Sequence, residues 1–234
     1  MAAGDGQATE GHRQRAAGNG SRLEPFEGSF IPGLCFESGH CIWLLHMAST
    51  PTAFDAYTEW WLVTPDAERL LYVDPGEAAE EVRKYHDFDW IGAGSIDVAR
   101  TASRLELDLT ADDGTEMQVA CDLADTVGTR LLTGVIRVTP DAILGSSVGT
   151  AVSTLSLNLL TDARGLRVAG RTETERRYRL APRRIRSITG ASATLDGSEL
   201  GARSPPDRPI EFGDAKTTGE PLFVPGTLYL ERQV

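Results

Sequence analysis

The chain has 234 residues, a net charge of −11 and 41% hydrophobic residues. That length suits one large β-rich domain or two small ones, with enough apolar content to bury a core. The acidic balance argues against a general nucleic-acid binder, which is usually basic. No stretch reaches the ~20 apolar residues of a membrane span, so no membrane partner is expected.

Residues 1–22 are Gly, Ala and polar residues without periodicity, and the expectation is a disordered tail. The tail has no apolar core, so it does not read as a secretory signal. This leaves 23–234 as a single β-rich domain. Phe26, Phe30, Ile31 and Leu34 begin its ordered part. The apolar run from Cys41 to Met47 reads as a buried strand.

Phe54 to Phe88 is the most informative stretch. In an extended chain Tyr57, Glu59 and Trp61 fall on one side, with Thr58, Trp60 and Leu62 on the other. Large apolar groups stand on both faces, which predicts a strand covered on both sides. Thr64-Pro65-Asp66-Ala67 is a turn signal, and Leu70 to Val73 return as a second strand. Asp74-Pro75-Gly76-Glu77 reads as a helix start, with Asp74 as the cap and Pro75 at the first helical position. Ala78, Ala79, Val82 and Tyr85 recur at helical spacing. A helix over 75–86 follows.

Further on, Ile96–Arg100, Arg104–Leu109 and Glu116–Asp122 predict a three-stranded meander over 95–122, with Leu105, Leu107 and Leu109 inward. A helix near 140–146 and a strand near 153–160 are expected next. Residues 166–169 and 176–180 should pair as a hairpin. Ala191–Leu195 precedes an Asp196-Gly197 turn, residues 204–209 form a Pro-rich linker, and Thr227–Glu231 is a last strand. The fold class is therefore mainly β (α+β), a single antiparallel β-barrel or curved sandwich with one clear helix near 75–86.

Three cysteines, Cys35, Cys41 and Cys121, form no CxxC and read as buried thiols in a reducing cytosol. Cys35 and Cys41 could pair only if the strands placed them together. A cytoplasmic protein is expected. His40 and His46 share a strand face about 20 Å apart at ~3.3 Å per residue, too far for one metal. No zinc pattern, GxSxG or phosphate-loop pattern occurs, so no metal and no cofactor is expected.

Glu59 stands among aromatic residues, where a buried carboxylate needs a partner and has a raised pKa. The other reading is an edge position where it meets water. His86, Asp87 and Asp89 follow the predicted helix, either as an acid/base cluster or as solvated loop residues. The arginine-rich run from Arg171 to Arg186 could bind a carboxylate, a phosphate or an acidic partner, with Arg177 and Arg179 pointing the same way. It could equally pair with Glu173, Glu175 and the acidic surface.

Tyr57-Thr58-Glu59, the strand Leu71-Tyr72-Val73-Asp74 and the segment Glu77-Ala78-Ala79 resemble the acetoacetate decarboxylase-like family. Gly190 to Leu195, Pro205-Pro206 and Pro225-Gly226 are similar in kind, so the resemblance covers roughly 26–231. It implies a β-barrel-like fold and a lysine that forms a Schiff base with a ketone. The family's Phe-Pro-Lys-Lys type segment is replaced here by Phe88-Asp89-Trp90-Ile91. Lys84 lies one helical turn too early and Lys216 in a late loop. Glu59 alone carries over.

The resulting expectation is a pocket protein for a small organic ligand, a carboxylate among the candidates, with an enclosed pocket around Glu59 lined by Glu59, Tyr57, Trp61 and His86, and by Arg177 or Arg179. The alternatives are a lyase using Glu59 with Lys84, or an interaction protein using the Arg171–Arg186 hairpin.

Overall fold

A computed structural model describes residues 22–138, 168–217 and 219–232. The expected tail, the helix near 140–146 and the strand near 153–160 lie outside the described residues, save that Arg22 already opens a strand.

Four strands form the wall on which the rest is built. They are β1 (Arg22–Cys35), β2 (Cys41–Ser49), β3 (Tyr57–Val63) and β4 (Arg69–Asp74). Each pairs antiparallel with the next. Every residue of β3 is buried, as its two apolar faces demand.

Residues 75–89 then carry the chain back to the start of the next strand. β5 (Trp90–Arg100) runs parallel to β4, while the other strand pairings among the described residues are antiparallel, in keeping with the expected mainly antiparallel domain. A crossover of a dozen or more residues is what a parallel pair needs. β5, β6 (Arg104–Ala111) and β7 (Glu116–Ala124) form the expected meander, with Leu105, Leu107 and Leu109 buried.

The helix expected over 75–86 is shorter. Gly76–Ala78 is a 3-10 turn and α1 covers only Ala79–Val82. Its apolar stripe survives, since Ala78, Val82 and Tyr85 are buried. The cap does not form: no side chain caps the turn. Asp74 instead accepts the Ile96 N–H at 2.9 Å and fastens β5 to the end of β4.

An unexpected helix, α2, spans Val127–Val138. Thr126 opens it: its Oγ1 accepts the Thr129 N–H at 3.2 Å. Gly128 and Gly134 had concealed it by their low helix propensity.

The remaining strands are β8 (Ala169–Arg171), β9 (Arg177–Pro182), β10 (Arg186–Leu195), β11 (Ser198–Glu199), β12 (Glu211–Phe212), β13 (Ala215–Lys216) and β14 (Leu222–Arg232). β8 and β9 pair as a hairpin, with the first strand at Ala169–Arg171 rather than over 166–169, of which residues 166–167 lie outside the described residues. The main sheet runs β10-β7-β6-β5-β4-β3-β2-β1-β14. It closes on itself where Arg186 and Ser187 pair with Phe223 and Leu222. The result is a barrel with β8–β9 extending beyond β14.

Two apolar clusters share the β1–β4 wall. Inside the barrel lie Ile31, Leu44, Trp60, Leu107, Val119 and Phe223, among others. Outside it a second cluster gathers Phe26, Trp43, Tyr57, Trp61, Val82 and Phe212 beneath α1, β9 and the β12–β13 hairpin.

Cys35 and Cys41 face each other across the β1–β2 pair and are bonded. The free-thiol expectation is corrected for these two and holds for buried Cys121. Strand register brought them together, which spacing alone could not decide. Among the described residues no helix is long and apolar enough to cross a membrane.

The role of Asp74 is testable. Asp74→Ala should cost about 1–2 kcal/mol, the usual penalty for leaving a partly buried donor without its acceptor. Hydrogen exchange should speed up at the Ile96 amide and stay unchanged at the Ala78 amide. A cap role would give the reverse pattern.

Candidate functional site

The candidate site forms on the outer face of the wall, around Trp61. Alternation along β3 sends Tyr57, Glu59 and Trp61 to this side, while Trp60 and Leu62 enter the barrel. On β2, Leu45 stands opposite Glu59 and Trp43 opposite Trp61.

Glu59 is buried, with 4% of its surface exposed. Its partner is the Trp61 indole, whose Nε1–H donates to Oε2 at 2.8 Å. No cation pairs with Glu59 among the described residues. Burial raises its pKa from about 4.5 to about 8, and the Trp61 hydrogen bond offsets only part of that rise. At neutral pH Glu59 is a neutral acid. The water-exposed edge reading is thus corrected: β3 has no open side.

Trp61 is the hub of the outer cluster. It stacks on Trp43 at 5.7 Å between centroids and meets Phe212 at 4.6 Å, His86 at 4.7 Å and Phe88 at 5.2 Å. His86 Nδ1 lies 3.6 Å from Glu173 Oε2, an ion-pair distance rather than a formed hydrogen bond. Burial holds the His86 pKa below its usual value, although Glu173 works against that shift. Glu173 also pairs with Arg69 and accepts the Asp87 N–H at 3.1 Å. Burial opposes ionisation of Glu173, but these donors outweigh it and leave its pKa lowered. Arg69 lies over the Phe212 ring at 4.7 Å. The β8–β9 turn, β4 and the β12–β13 hairpin are thereby tied together around Trp61.

Beside Trp61 is a cavity of about 90 Å³. Its walls are mostly apolar, from Phe30, Trp43, Leu45, Tyr178, Leu180 and Leu230. Its polar groups come from His86, Thr172 and Lys216. Lys216, on β13, is ion-paired with Glu211.

The sequence-derived site residues separate in space. Trp61 and His86 line the cavity. Glu59 and Tyr57 lie in the same apolar layer without lining it, and Glu59 reaches the cavity through the Trp61 indole. Burial and then the Glu59 charge push the Tyr57 phenol pKa up. Lys84 is half-exposed and bonded to Glu81 Oε1 at 2.6 Å, away from the cavity lining. Arg177 pairs with Glu231 at 3.1 Å, and Arg179 lies over the Tyr229 ring at 4.4 Å. Other members of the arginine run act as fasteners: Arg183 to Glu27, Arg184 to Asp125, and buried Arg186 to the Ala102 and Leu123 carbonyls. Asp89 Oδ2 accepts the Arg69 N–H at 2.8 Å, and Asp87 contributes its backbone N–H to Glu173.

Sequence reasoning missed Trp43, Thr172, Tyr178 and Lys216. For Lys216 a signal existed. Gly213-Asp214 between Phe212 and Ala215 marks a two-residue hairpin turn, and Gly213 takes a φ of 63°.

No family model matches the chain, and no curated protein matches it. Among solved structures, a crystal structure of acetoacetate decarboxylase from Legionella pneumophila subsp. pneumophila str. Philadelphia 1 is similar. It is 9% identical and covers 92% of this chain and 87% of that chain, with a TM-score of 0.43. A TM-score below 0.5 carries no argument about function, which has to rest on the site's own residues.

The buried acid gives a pH signature. Its folded pKa of about 8 lies above the unfolded value, so the native state binds the extra proton between the two. The associated stability is fully present below about pH 4.5 and is lost as pH rises to about 8. Glu59→Gln, a neutral isostere, should flatten that slope and be the more stable protein at pH 8, by a few kcal/mol. Urea midpoints of both proteins from pH 5 to 9 measure it. Parallel curves would mean that Glu59 ionises freely.

Proposed function

We propose that the protein binds a small organic molecule in the cavity beside Trp61. The observation that supports this is the composition of the cavity: apolar walls with a few polar groups, the usual make-up of a ligand site. Its volume of about 90 Å³ holds several bodies of water size, at about 10–15 Å³ each. That scale suits a short acyl or aryl group. Lys216 and Thr172 supply donors, so an acceptor head group, a carboxylate above all, fits the polar end. The ligand's carboxylate would take the place of Glu211 on Lys216. That exchange is inexpensive, because the Lys216–Glu211 pair is partly exposed and such pairs contribute at most about 1 kcal/mol.

This reading assigns Glu59 a positioning role. As a neutral acceptor it fixes the indole that forms one cavity wall, and it has no direct path to a ligand. Lys84 has none either, so the lyase alternative finds no support in this arrangement.

Titration calorimetry with butyrate, benzoate and the matching alcohols tests the proposal. The acids should bind more tightly than the alcohols. Ala215→Leu, which fills the cavity, should weaken both by tenfold or more, while Lys216→Met should remove only the preference for the acid. Equal binding of all ligands to Ala215→Leu and to the wild type would place the site elsewhere.

A further inference from the structure

We infer that the open end of the barrel is a second site, one that takes a small organic anion against Arg100 and Arg183. The inference is independent of the cavity at Trp61, since it concerns the other face of the wall.

The barrel interior is apolar along most of its length. At one end the inward positions change character. Ser29, His46, Thr58 and Arg100 occupy the registers two residues beyond Ile31, Leu44, Trp60 and Val98, all of which belong to or pack on the inner cluster. A crevice of about 680 Å³ opens there. Ser29, His46, Arg100 and Arg183 are among its polar lining, and Leu105, Phe223 and Pro225 form its apolar floor.

Arg100 is the leading group. It crosses the mouth from β5 and lays its guanidinium over the Phe223 ring of β14, 5.6 Å from the centroid. It has no carboxylate or carbonyl acceptor among the described residues. Its rigid fork of N–H donors, matched to planar anions, therefore stays open at a concave surface. In a chain of net charge −11, where most arginines of the Arg171–Arg186 run are fasteners, this is an exception.

The surroundings favour an anion. Arg183 pairs with Glu27 at 3.0 Å, but both side chains are more than half exposed, so the pair is weak. Two guanidinium groups thus face one carboxylate. His46 Nδ1 is 2.9 Å from Thr58 Oγ1, which fixes the ring. Burial, and then the charge of Arg100, lower the His46 pKa, so the ring is neutral and offers hydrogen bonds rather than charge. Gly28 allows the close approach of β1 to β2 at this rim: a Cβ there would lie 2.0 Å from the His46 carbonyl oxygen. The apolar floor gives an organic body a surface to cover. The ligand class is a carboxylate or phosphate monoester with a compact apolar group.

Calorimetry at low ionic strength with benzoate, phenyl phosphate, inorganic phosphate and benzyl alcohol, on Ala215→Leu as the reference protein so that the Trp61 cavity is filled, tests this, with amide shifts of Ser29, His46 and Phe223 locating the binding. One of the two aryl anions should bind and move those amides, and the preferred one identifies the head group. Arg100→Met should weaken that anion at least tenfold, and Arg100→Lys should restore part of the loss. Because the Arg100 side chain makes no hydrogen bond among the described residues, Arg100→Met should melt close to the wild type. Should it fail to fold, Arg183→Met carries the same expectation with a smaller loss. Binding unchanged in the arginine variants, shifts confined to other residues, or equal binding of benzyl alcohol would each overturn the site. Inorganic phosphate binding as tightly as phenyl phosphate would overturn the organic ligand class.

Discussion

A strand with no solvent face constrains everything else in this protein. β3 is buried at all seven positions, between the barrel interior and an outer apolar layer. A carboxylate on such a strand cannot keep its charge without a cation, and Glu59 has none among the described residues. It stays protonated and accepts one hydrogen bond from the next residue on its own face. That bond sets the direction of the Trp61 indole. The indole in turn meets Trp43, His86, Phe88 and Phe212, which arrive from three other segments: β2, the 75–89 connection and β12. One neutral hydrogen bond therefore orders an aromatic layer that no single segment could assemble.

The wall separates two chemical environments. Its outer side is closed by short elements held with ion pairs, Arg69–Glu173 and Lys216–Glu211 among them. The cavity beside Trp61 lies where those elements meet, so its shape depends on His86, the β8–β9 hairpin and the β12–β13 hairpin together. The inner side is a sealed apolar barrel except at one rim, where serine, threonine, histidine and arginine take the inward positions. A core of this size could have continued to the end with Val and Leu. Part of the cost of a polar layer there is met inside the protein, because buried Thr58 is hydrogen-bonded to His46.

Many of the charged groups act locally rather than as fields. Arg186 is buried, yet its guanidinium reaches the Ala102 and Leu123 carbonyls and stands 3.4 Å from Asp125. It thereby ties β10 to the β5–β6 turn and to the end of β7 at the point where the barrel closes. Arg171, Arg177, Arg183 and Arg184 each find a different carboxylate. The arginine run is therefore a set of separate clasps. Read along the sequence it looks like a patch, but a hairpin sends successive residues to opposite faces and its two ends to different neighbours.

What the sequence by itself determined were the features written in short-range pattern. Apolar runs placed β2 and β3, alternation placed β6, β7 and the end of β14, and the two-residue period of an extended chain put Tyr57, Glu59 and Trp61 on one side. The stripe of Ala78, Val82 and Tyr85 was also legible, because burial follows periodicity even where helical hydrogen bonding stops early. Partner choice was decided by the tertiary structure alone. Asp74 could cap its own turn or hold β5, and only the parallel placement of β5 brings the Ile96 amide within reach. Cys35 and Cys41 could be thiols or a pair, and register settled it. A one-dimensional reading favours Lys84, close to Glu59 in the chain, over Lys216 in a late loop. Only the hairpin folded over Trp61 gives one of them a cavity and leaves the other in solvent. Local pattern reports what a residue must be buried from or exposed to, whereas a site depends on which distant segments share a boundary.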